Sequence, residues 1–469
     1  MSDKNRAKEL VFGKEHLGAI EAIKKLNSGK NLLAHTVVYG CQQNEADMER
    51  IKGMLKASGY GFTEEPAEAD VIVVNTCAVR EGAEMRVLGN VGAFKKLKEK
   101  NPNLVICICG CMMQQPHVVE KIKKSFHFVD LVFGTHNLHN FPLLLAKKLR
   151  GQKRVFEVFE GSETICEGMP VEREKKYTAR VSIMYGCNNF CSYCIVPYTR
   201  GRERSRDINA VLGEICELAK NGCKEVMLLG QNVNSYRGDG GDKNSFANLL
   251  REIDKIPGIE RVRFMSSHPK DFSDETISAI SECKSVCKHI HLAMQSGSTE
   301  ILRRMNRKYT KEGFIELTDK IKNKIPGVAL TTDIIVGFPG ETDEDFEETL
   351  DVLRKVRFDG IFSFIFSPRK GTPASEMEDP FTHEQKQAHF EKLLAVQNEI
   401  TAEKTAACVG QTFPVLVEGR SKENENLLTG HTDTFKLVHF EGGEELIGEI
   451  VNIKITSAKT WYMVGEIEK

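Results

Sequence analysis

From residue 33 onward the chain repeats one pattern, a short β-rich apolar run followed by a stretch compatible with a helix. The first runs are LLAHTVVYGC, DVIVVNTC, NLVICICGC and FVDLVFGT. Strands alternating with helices at this pitch predict a parallel sheet with helical crossovers, an α/β domain over residues 31–150. The residues before it, rich in Lys, Glu and Ala, predict a helical extension over 1–30. Residues 151–176, GQKRVFEVFEGSETICEGMPVEREKK, mix charge with a proline and read as a connecting strand and linker. Alternation resumes at Tyr177 with TARVSIMYG, EVMLLGQN, RVRFMSSHP, HIHLAMQSG, ALTTDIIVGFPG and GIFSFIFSP. Six successive units predict a partial (β/α)6 barrel over 177–406, closed by the polar helix EQKQAHFEKLLAVQNEITAEK. In such a barrel the chemistry sits at the strands' C-terminal ends. Past Gly410 the runs become short and alternating, which predicts a small β-barrel over 407–469.

Composition sharpens this outline in three ways. At 469 residues with 41% apolar content, the chain is long enough for several cores. A net charge of −1 excludes a globally basic nucleic-acid binder and leaves room for local basic patches. The opening MSDKNRAKEL has no apolar signal region and no run approaches a membrane span, so a soluble, cytoplasmic protein is expected. In that reducing compartment fourteen cysteines are not a disulfide framework; metal ligands, catalytic thiols and core residues compete.

Two cysteine sets stand out. Cys187, Cys191 and Cys194 lie in MYGCNNFCSYC, just after the first barrel strand. Three thiolates on a short loop can bind three irons of a [4Fe–4S] cube and leave the fourth open. The competing reading is a zinc site completed by a distant ligand such as Cys216 or a His. Cys41, Cys77 and Cys111 each end one of three consecutive strands of the first domain, and in a parallel sheet all three share one edge. Strand ends at a switch point are where α/β sheets bind ligands, so these thiolates can converge on a second cluster. Cys107 and Cys109, inside LVICIC, read as core.

With these residues in view, the C-x3-C-x2-C loop resembles the radical S-adenosylmethionine (SAM) superfamily, and the dispersed triad resembles its methylthiotransferase family. The resemblance extends over essentially the whole chain, and the terminal barrel is similar to a TRAM RNA-binding domain. The stretches YGCQQNEADMER, NTCAVREGAEMRVLGNVG, CGCMMQQ, YGCNNFCSYCIVPYTRGRERSR, LLGQNVNSY and SSHPKDF carry it. Gln43 departs from the Met expected there. The resemblance implies two [4Fe–4S] clusters, one on Cys187, Cys191 and Cys194 with SAM on its open iron, the other on Cys41, Cys77 and Cys111 as sulfur carrier. It also implies methylthiolation at C2 of N6-isopentenyl adenosine next to the anticodon of tRNA, with SAM as radical source and methyl donor. A tRNA anticodon stem-loop and an electron donor such as flavodoxin or ferredoxin are the implied partners of a monomer, with no membrane.

By the same resemblance Gly230 and Gln231 of LLGQN meet the SAM amino group. Gln295 and Ser296 of HLAMQSGS make polar contacts to SAM, and Ile335 and Gly337 of DIIVGFPGE line its adenine. From the residues alone, these glycines serve tight turns equally well. Phe190 and Tyr193 either shield the cluster or simply pack. In TRGRERSR, Arg200, Arg202, Arg204 and Arg206 alternate, as for phosphate contact along one side of an extended segment or for a solvated, salt-bridged loop. In the terminal barrel His431, Phe435, Lys436 and Trp461 suit stacking on unpaired bases, although Trp461 fits a core equally. Rival readings are a sister methylthiotransferase acting on threonylcarbamoyl adenosine or on a ribosomal-protein aspartate, and an iron–sulfur electron carrier or scaffold. The last is disfavoured because a carrier would normally supply four protein ligands per cluster.

Overall fold

The structure is a computed structural model that describes residues 8–78, 81–161, 163–240 and 243–468. The chain opens with strand β1 (Lys8–Val11), followed by a helix over Lys14–Leu26. The first domain then contributes β2 (Leu33–Val38), β3 (Gly61–Phe62), β4 (Val71–Thr76), β5 (Val105–Gly110), β6 (Leu131–Phe133) and β7 (Val155–Glu157). They form one parallel six-stranded sheet in the order β3-β2-β4-β5-β6-β7. The central strands β4 and β5 are buried along their whole length, as continuous apolar runs between two helical layers require. Ile106 and Ile108 enter one layer's core, whereas Cys107 and Cys109 enter the other. The chain leaves β2 toward β3 and returns to β4 on the opposite side, so a switch point lies between β2 and β4.

The first thirty residues are more than a helical extension, and positions 1–7 lie outside the described residues. β1 pairs in parallel with β8 (Thr164–Glu167), a strand of the segment read as linker, and that segment also supplies the edge strand β7.

The second domain begins with the strand at Thr178. Its barrel strands are β9 (Thr178–Ser182), β12 (Glu225–Leu229), β13 (Arg261–Phe264), β14 (His289–His291), β15 (Ala329–Val336) and β16 (Gly360–Ile365). Between the first two, the short strands β10 (Met184–Tyr185) and β11 (Arg204–Ser205) pair antiparallel and frame the cysteine loop. The six barrel strands run parallel in two halves, β9-β12-β13 and β14-β15-β16, joined by bridges at Val262–Val286 and Ser267–Leu292. Leu330, Ile334 and Val336 face the core beneath the outer helices, which leaves Thr331, Asp333 and Ile335 on the lumen side. Register places His291 beside Thr331, Phe362 beside Asp333 and Phe364 beside Ile335 on that same side.

The last domain is a closed barrel of β17 (Thr412–Arg420), β18 (Leu427–Thr432), β19 (Leu437–Glu441), β20 (Ile450–Ala458) and β21 (Met463–Ile467). Its position is fixed by arginines of β13. Arg261 donates to the carbonyls of His431 and Pro414 at 2.8 and 2.6 Å, and Arg263 to those of Asp433 and Thr432 at 2.8 and 2.6 Å. Arg263 also pairs with Glu225 at 2.8 Å. Phe435 lies in the left-handed region at φ +64° and stacks against His289 and His431, with centroids 5.2 and 4.6 Å away, under the Arg263 guanidinium. Lys436 pairs with Asp359 at 2.7 Å.

Phe435 and Lys436, read from the sequence as RNA contacts, are engaged instead with His289, Arg263 and Asp359 of the neighbouring barrel. Trp461, by contrast, is 58% exposed. Among the described residues no helix is long and apolar enough to cross a membrane.

Replacing Arg263 by Ala leaves Glu225 as a buried carboxylate without this partner, a change that costs about 3–5 kcal/mol. Arg263→Ala is expected to lower the unfolding temperature and expose the chain near residue 407 to limited proteolysis. An unchanged digestion pattern would rule out the anchoring role.

Candidate active site

The cysteine loop is an excursion between β10 and β11, closed at its neck by two glycines. Gly186 has φ +78°, and a Cβ there would fall 2.1 Å from the Arg202 carbonyl oxygen. Cys187 N donates to Gly201 O at 3.1 Å, which seals the neck. Loop conformation is held from the far side of the barrel: Ser192 N donates to Met305 O at 3.0 Å, and Asn306 Nδ2 to Phe190 O at 2.9 Å, with Phe190 at φ +47°. Cys187 and Cys191 are buried and Cys194 is half-buried. Burial and the neighbouring thiols push Cys187 and Cys194 up to about 12. Arg307 opposes this and donates from Nη1 to Cys191 Sγ at 3.4 Å.

The second set sits where the sheet puts it, at the C-terminal ends of the adjacent strands β2, β4 and β5. Cys77 and Cys111 are buried, and Cys41 is exposed at the head of the helix Gln42–Ala57. Asn44 ties the ends together. Its side-chain amide donates to the carbonyls of Tyr39 and Thr76 at 3.0 Å each, and its Oδ1 lies 3.9 Å from Cys41 Sγ and 3.6 Å from Cys111 Sγ. Burial pushes Cys111 up to about 12; Arg200 works against it, while Cys41 and Cys77 reinforce it.

Arg200 links the two sets. It caps the short helix Val196–Thr199 that follows the cysteine loop. Its Nε donates to Cys111 Sγ at 3.1 Å, and its Nη2 to Asn44 Oδ1 and Asp47 Oδ2 at 2.7 and 2.8 Å. Gln43 adds a cross-domain bond, donating to Ser182 Oγ of β9 at 2.9 Å.

The donor chemistry of both sets fits a cationic cluster. A buried thiol that resists ionisation becomes a thiolate when iron supplies the compensating charge. Among the described residues no group of three His, Cys, Asp or Glu side chains is gathered so as to hold a single metal ion. Cys216 packs against the barrel core.

The remaining candidate residues fall at successive strand ends. Gln231 Oε1 accepts from Gly186 N at 2.5 Å, and Gly230 lies against Met184, where a Cβ would come within 2.5 Å of its Cγ. Gln295 holds φ +73° at the end of β14, its backbone paired with Asp333 and Ile335. Ser296 is fully buried, and its Oγ accepts from Ser298 N at 3.2 Å, so its hydroxyl serves the turn. Ile335, like Tyr193 of the cysteine loop and Phe366, packs against the buried cluster of Ile301, Met305, Phe338 and Ala374. Gly337, at φ +70°, donates its amide to Glu341, whose carboxyl burial raises to about 8.

Three of the four alternating arginines turn inward, the salt-bridged alternative of the sequence reading. Arg200 and Arg206 are each 5% exposed, the latter held by Glu167 and Glu214, and Arg204 turns back to the Arg200 carbonyl. The segment folds inward where half-buried Glu167 and Glu214, from two neighbouring elements, meet Arg206. Arg202 alone of the four is exposed, its guanidinium 4.2 Å from the Phe190 ring centre. Asn44, Asp47, Arg307 and Glu341 escaped the sequence reading. Asn44 and Asp47 carried one signal, their spacing on one face of the helix that begins after Cys41.

Three family models match consecutive parts of the chain: an uncharacterized protein family, UPF0004, at 34–134, the Radical SAM superfamily at 181–353, and the TRAM domain at 406–467. Fold and cysteine loop thus define a radical SAM protein carrying a TRAM domain. The tRNA-2-methylthio-N(6)-dimethylallyladenosine synthase of Acetivibrio thermocellus is 53% identical over 454 residues, covering 96% of this chain and 95% of that protein. The synthase of the same name from Thermoanaerobacter pseudethanolicus is 52% identical over 448 residues, covering 96% and 95%. This chain belongs to the tRNA-2-methylthio-N(6)-dimethylallyladenosine synthase family. Among solved structures, the radical S-adenosylmethionine methyltransferase TsrM from Kitasatospora setae is similar with a TM-score of 0.53 at 15% identity, covering 73% of this chain and 75% of that one. At that identity the likeness concerns the fold alone.

Gly110 provides a test of how Cys111 is placed. It has φ +97°, and a Cβ there would fall 2.2 Å from Asn75 Oδ1 and 2.5 Å from Thr76 O. Such a backbone costs a side chain about 1–3 kcal/mol before the clash is counted. Gly110→Ala is expected to lower stability by at least that much and to weaken iron retention by the strand-end set, read by melting and iron assay. Full retention would show that Cys111 is placed by other means.

Proposed function

We propose that this chain transfers a methylthio group to C2 of N6-isopentenyl adenosine next to the anticodon of tRNA, with SAM as radical source and methyl donor. The reading assigns one [4Fe–4S] cluster to Cys187, Cys191 and Cys194 and a second to Cys41, Cys77 and Cys111. When bound, these groups supply reductive cleavage of SAM and a sulfur atom, chemistry that no side chain can provide at an unactivated aromatic carbon. The observation that carries the reading is Arg200, which follows the first cysteine set by one short helix and touches the second at Cys111. Both sets therefore serve one site.

The chain's own residues position and shield. Gln231 fixes the loop neck through the Gly186 amide, and the burial of Cys187 and Cys191 keeps water from the loop. Gly230, Gln295, Ile335 and Gly337 surround the place where SAM lies in this reading. Phe362 and Phe364, 47% and 36% exposed on the lumen side of β16, offer aromatic surface for a splayed base and its apolar isopentenyl group. Arg202 and Trp461 remain for RNA contact outside the lumen. A flavodoxin- or ferredoxin-type donor, a monomeric state and a cytoplasmic location complete the proposal.

The test is anaerobic reconstitution, then incubation with SAM, reductant and separate substrates, with products read by mass spectrometry. Isopentenylated tRNA is expected to gain a methylthio group; gain by threonylcarbamoylated tRNA or a ribosomal protein instead overturns the substrate assignment. About eight irons per chain are expected for two cubes. Replacing Cys41, Cys77 and Cys111 together by Ala should remove half of them, abolish methylthiolation and spare SAM cleavage. Loss of SAM cleavage as well would refute the division of labour.

A further inference from the structure

Arg307 and Arg200 each place a guanidinium N–H on a cysteine sulfur. Arg307 Nη1 donates to Cys191 Sγ at 3.4 Å, and Arg200 Nε donates to Cys111 Sγ at 3.1 Å. One bond falls in each cysteine set. Both arginines are deeply buried, 6% and 5% exposed, and an arginine stays charged even there. Each is clamped by further acceptors. Arg307 Nη2 donates to Ala293 O at 2.5 Å and its Nε to the Tyr309 hydroxyl at 2.9 Å, while Arg200 holds Asn44 and Asp47. Neither side chain is free to follow solvent.

The two differ in what opposes their charge. Arg200 has the Asp47 carboxylate at 2.8 Å. Arg307 forms no ion pair with a carboxylate among the described residues; the neighbours that act on it most strongly are Tyr309, Tyr193 and Cys191. Its charge is thus met by neutral oxygen acceptors and by the Cys191 sulfur, with no carboxylate opposing it. A cluster on three thiolates becomes more negative when it takes up an electron. A fixed cation and an N–H bond to a ligating sulfur both favour that reduced state, and hydrogen bonds to sulfur are among the groups that set cluster potentials. In a site of low effective dielectric such a charge acts strongly.

We infer that Arg307 and Arg200 are positioning residues that set the reduction potentials of the two clusters, and set them apart. Arg307 raises that of the loop cluster through Cys191, and Arg200, half-neutralised by Asp47, raises that of the strand-end cluster less. The inference rests on the reading that each triad holds a cube. Its consequence is directional: the two arginines bias an incoming electron toward the loop cluster, where SAM is cleaved in that reading, relative to the cluster that keeps the sulfur.

The experiment is a potentiometric titration of the full-length holoenzyme followed by electron paramagnetic resonance. Each cluster is isolated by replacing the other triad with Ala. Arg307→Gln is expected to make reduction of the loop cluster tenfold less favourable, about 59 mV lower for a one-electron couple. Arg200→Gln is expected to disfavour reduction of the strand-end cluster by about threefold. Iron present with an unmoved loop potential overturns the inference, and equal shifts in the two variants overturn the claim that they are set apart. Should Arg307→Gln hold no iron, Arg307→Lys decides. That variant keeps the charge and loses the fork, so a shift of about threefold is expected, and an unchanged potential overturns the inference. Absence of iron from the unsubstituted chain overturns this inference together with the functional reading.

Discussion

The interaction on which the rest of the structure depends is the burial of Arg200 between two domains. A guanidinium removed from water is tolerated only when its charge and its donors are met. Here they are met by Asp47, Asn44 and Cys111, all on the far side of the domain boundary. The same helix, Gln42–Ala57, turns Gln43, Asp47 and Arg50 toward the barrel as well, with Gln43 and Arg50 both reaching Ser182. Residues at this spacing share one helical face. The helix that begins directly after Cys41 is therefore the surface on which the first barrel strand rests. Moving the sheet away from the cysteine loop would strand at least one buried charge. Relative placement of the two cysteine sets is thus a matter of electrostatics more than of apolar contact.

A second constraint concerns the thiols themselves. Without iron, burial keeps Cys111, Cys187 and Cys194 protonated, so neither set is poised as a nucleophile. Burial suits ligands whose ionisation is induced by a metal charge and unsuits general-base or nucleophilic chemistry. Each set also has an open side. Cys41 is exposed and Cys194 is half-buried, so neither triad is sealed into a closed structural site.

Much of this was legible in the sequence, for physical reasons that can be named. The continuous apolar runs of β4 and β5 announced a sheet covered on both faces, and a cysteine ending each of β2, β4 and β5 followed from parallel pairing. The six barrel strands and the terminal barrel were equally plain from alternation. What could not be read was the direction in which long polar side chains point. TRGRERSR looks like an exposed basic edge until Glu167 and Glu214, from two separate elements, converge on Arg206. Phe435 and Lys436 look like RNA contacts until His289, Arg263 and Asp359 are found opposite them. In each case the partner is distant in sequence, and no local periodicity records it. Residues 1–30 show the same limit: a four-residue strand whose partner lies more than 150 residues away carries no local signal of its pairing.

The terminal barrel raises a question of geometry. Its anchors are Tyr177, Lys224, Arg261, Arg263 and Asp359, each at or near the start of a barrel strand or just before it. The cysteine loop, Gly230, Gln295 and Gly337 stand at the opposite ends of those strands. A strand such as β15, with eight residues at about 3.3 Å each, separates the two ends by roughly 25 Å. Phe435 stacks on His289 and His431 at the end of the barrel away from the cysteine loop. On the functional reading given above, a base at the cysteine loop lies at the end of the barrel away from this domain's anchors, so the lumen and the cysteine loop are the surfaces that meet it.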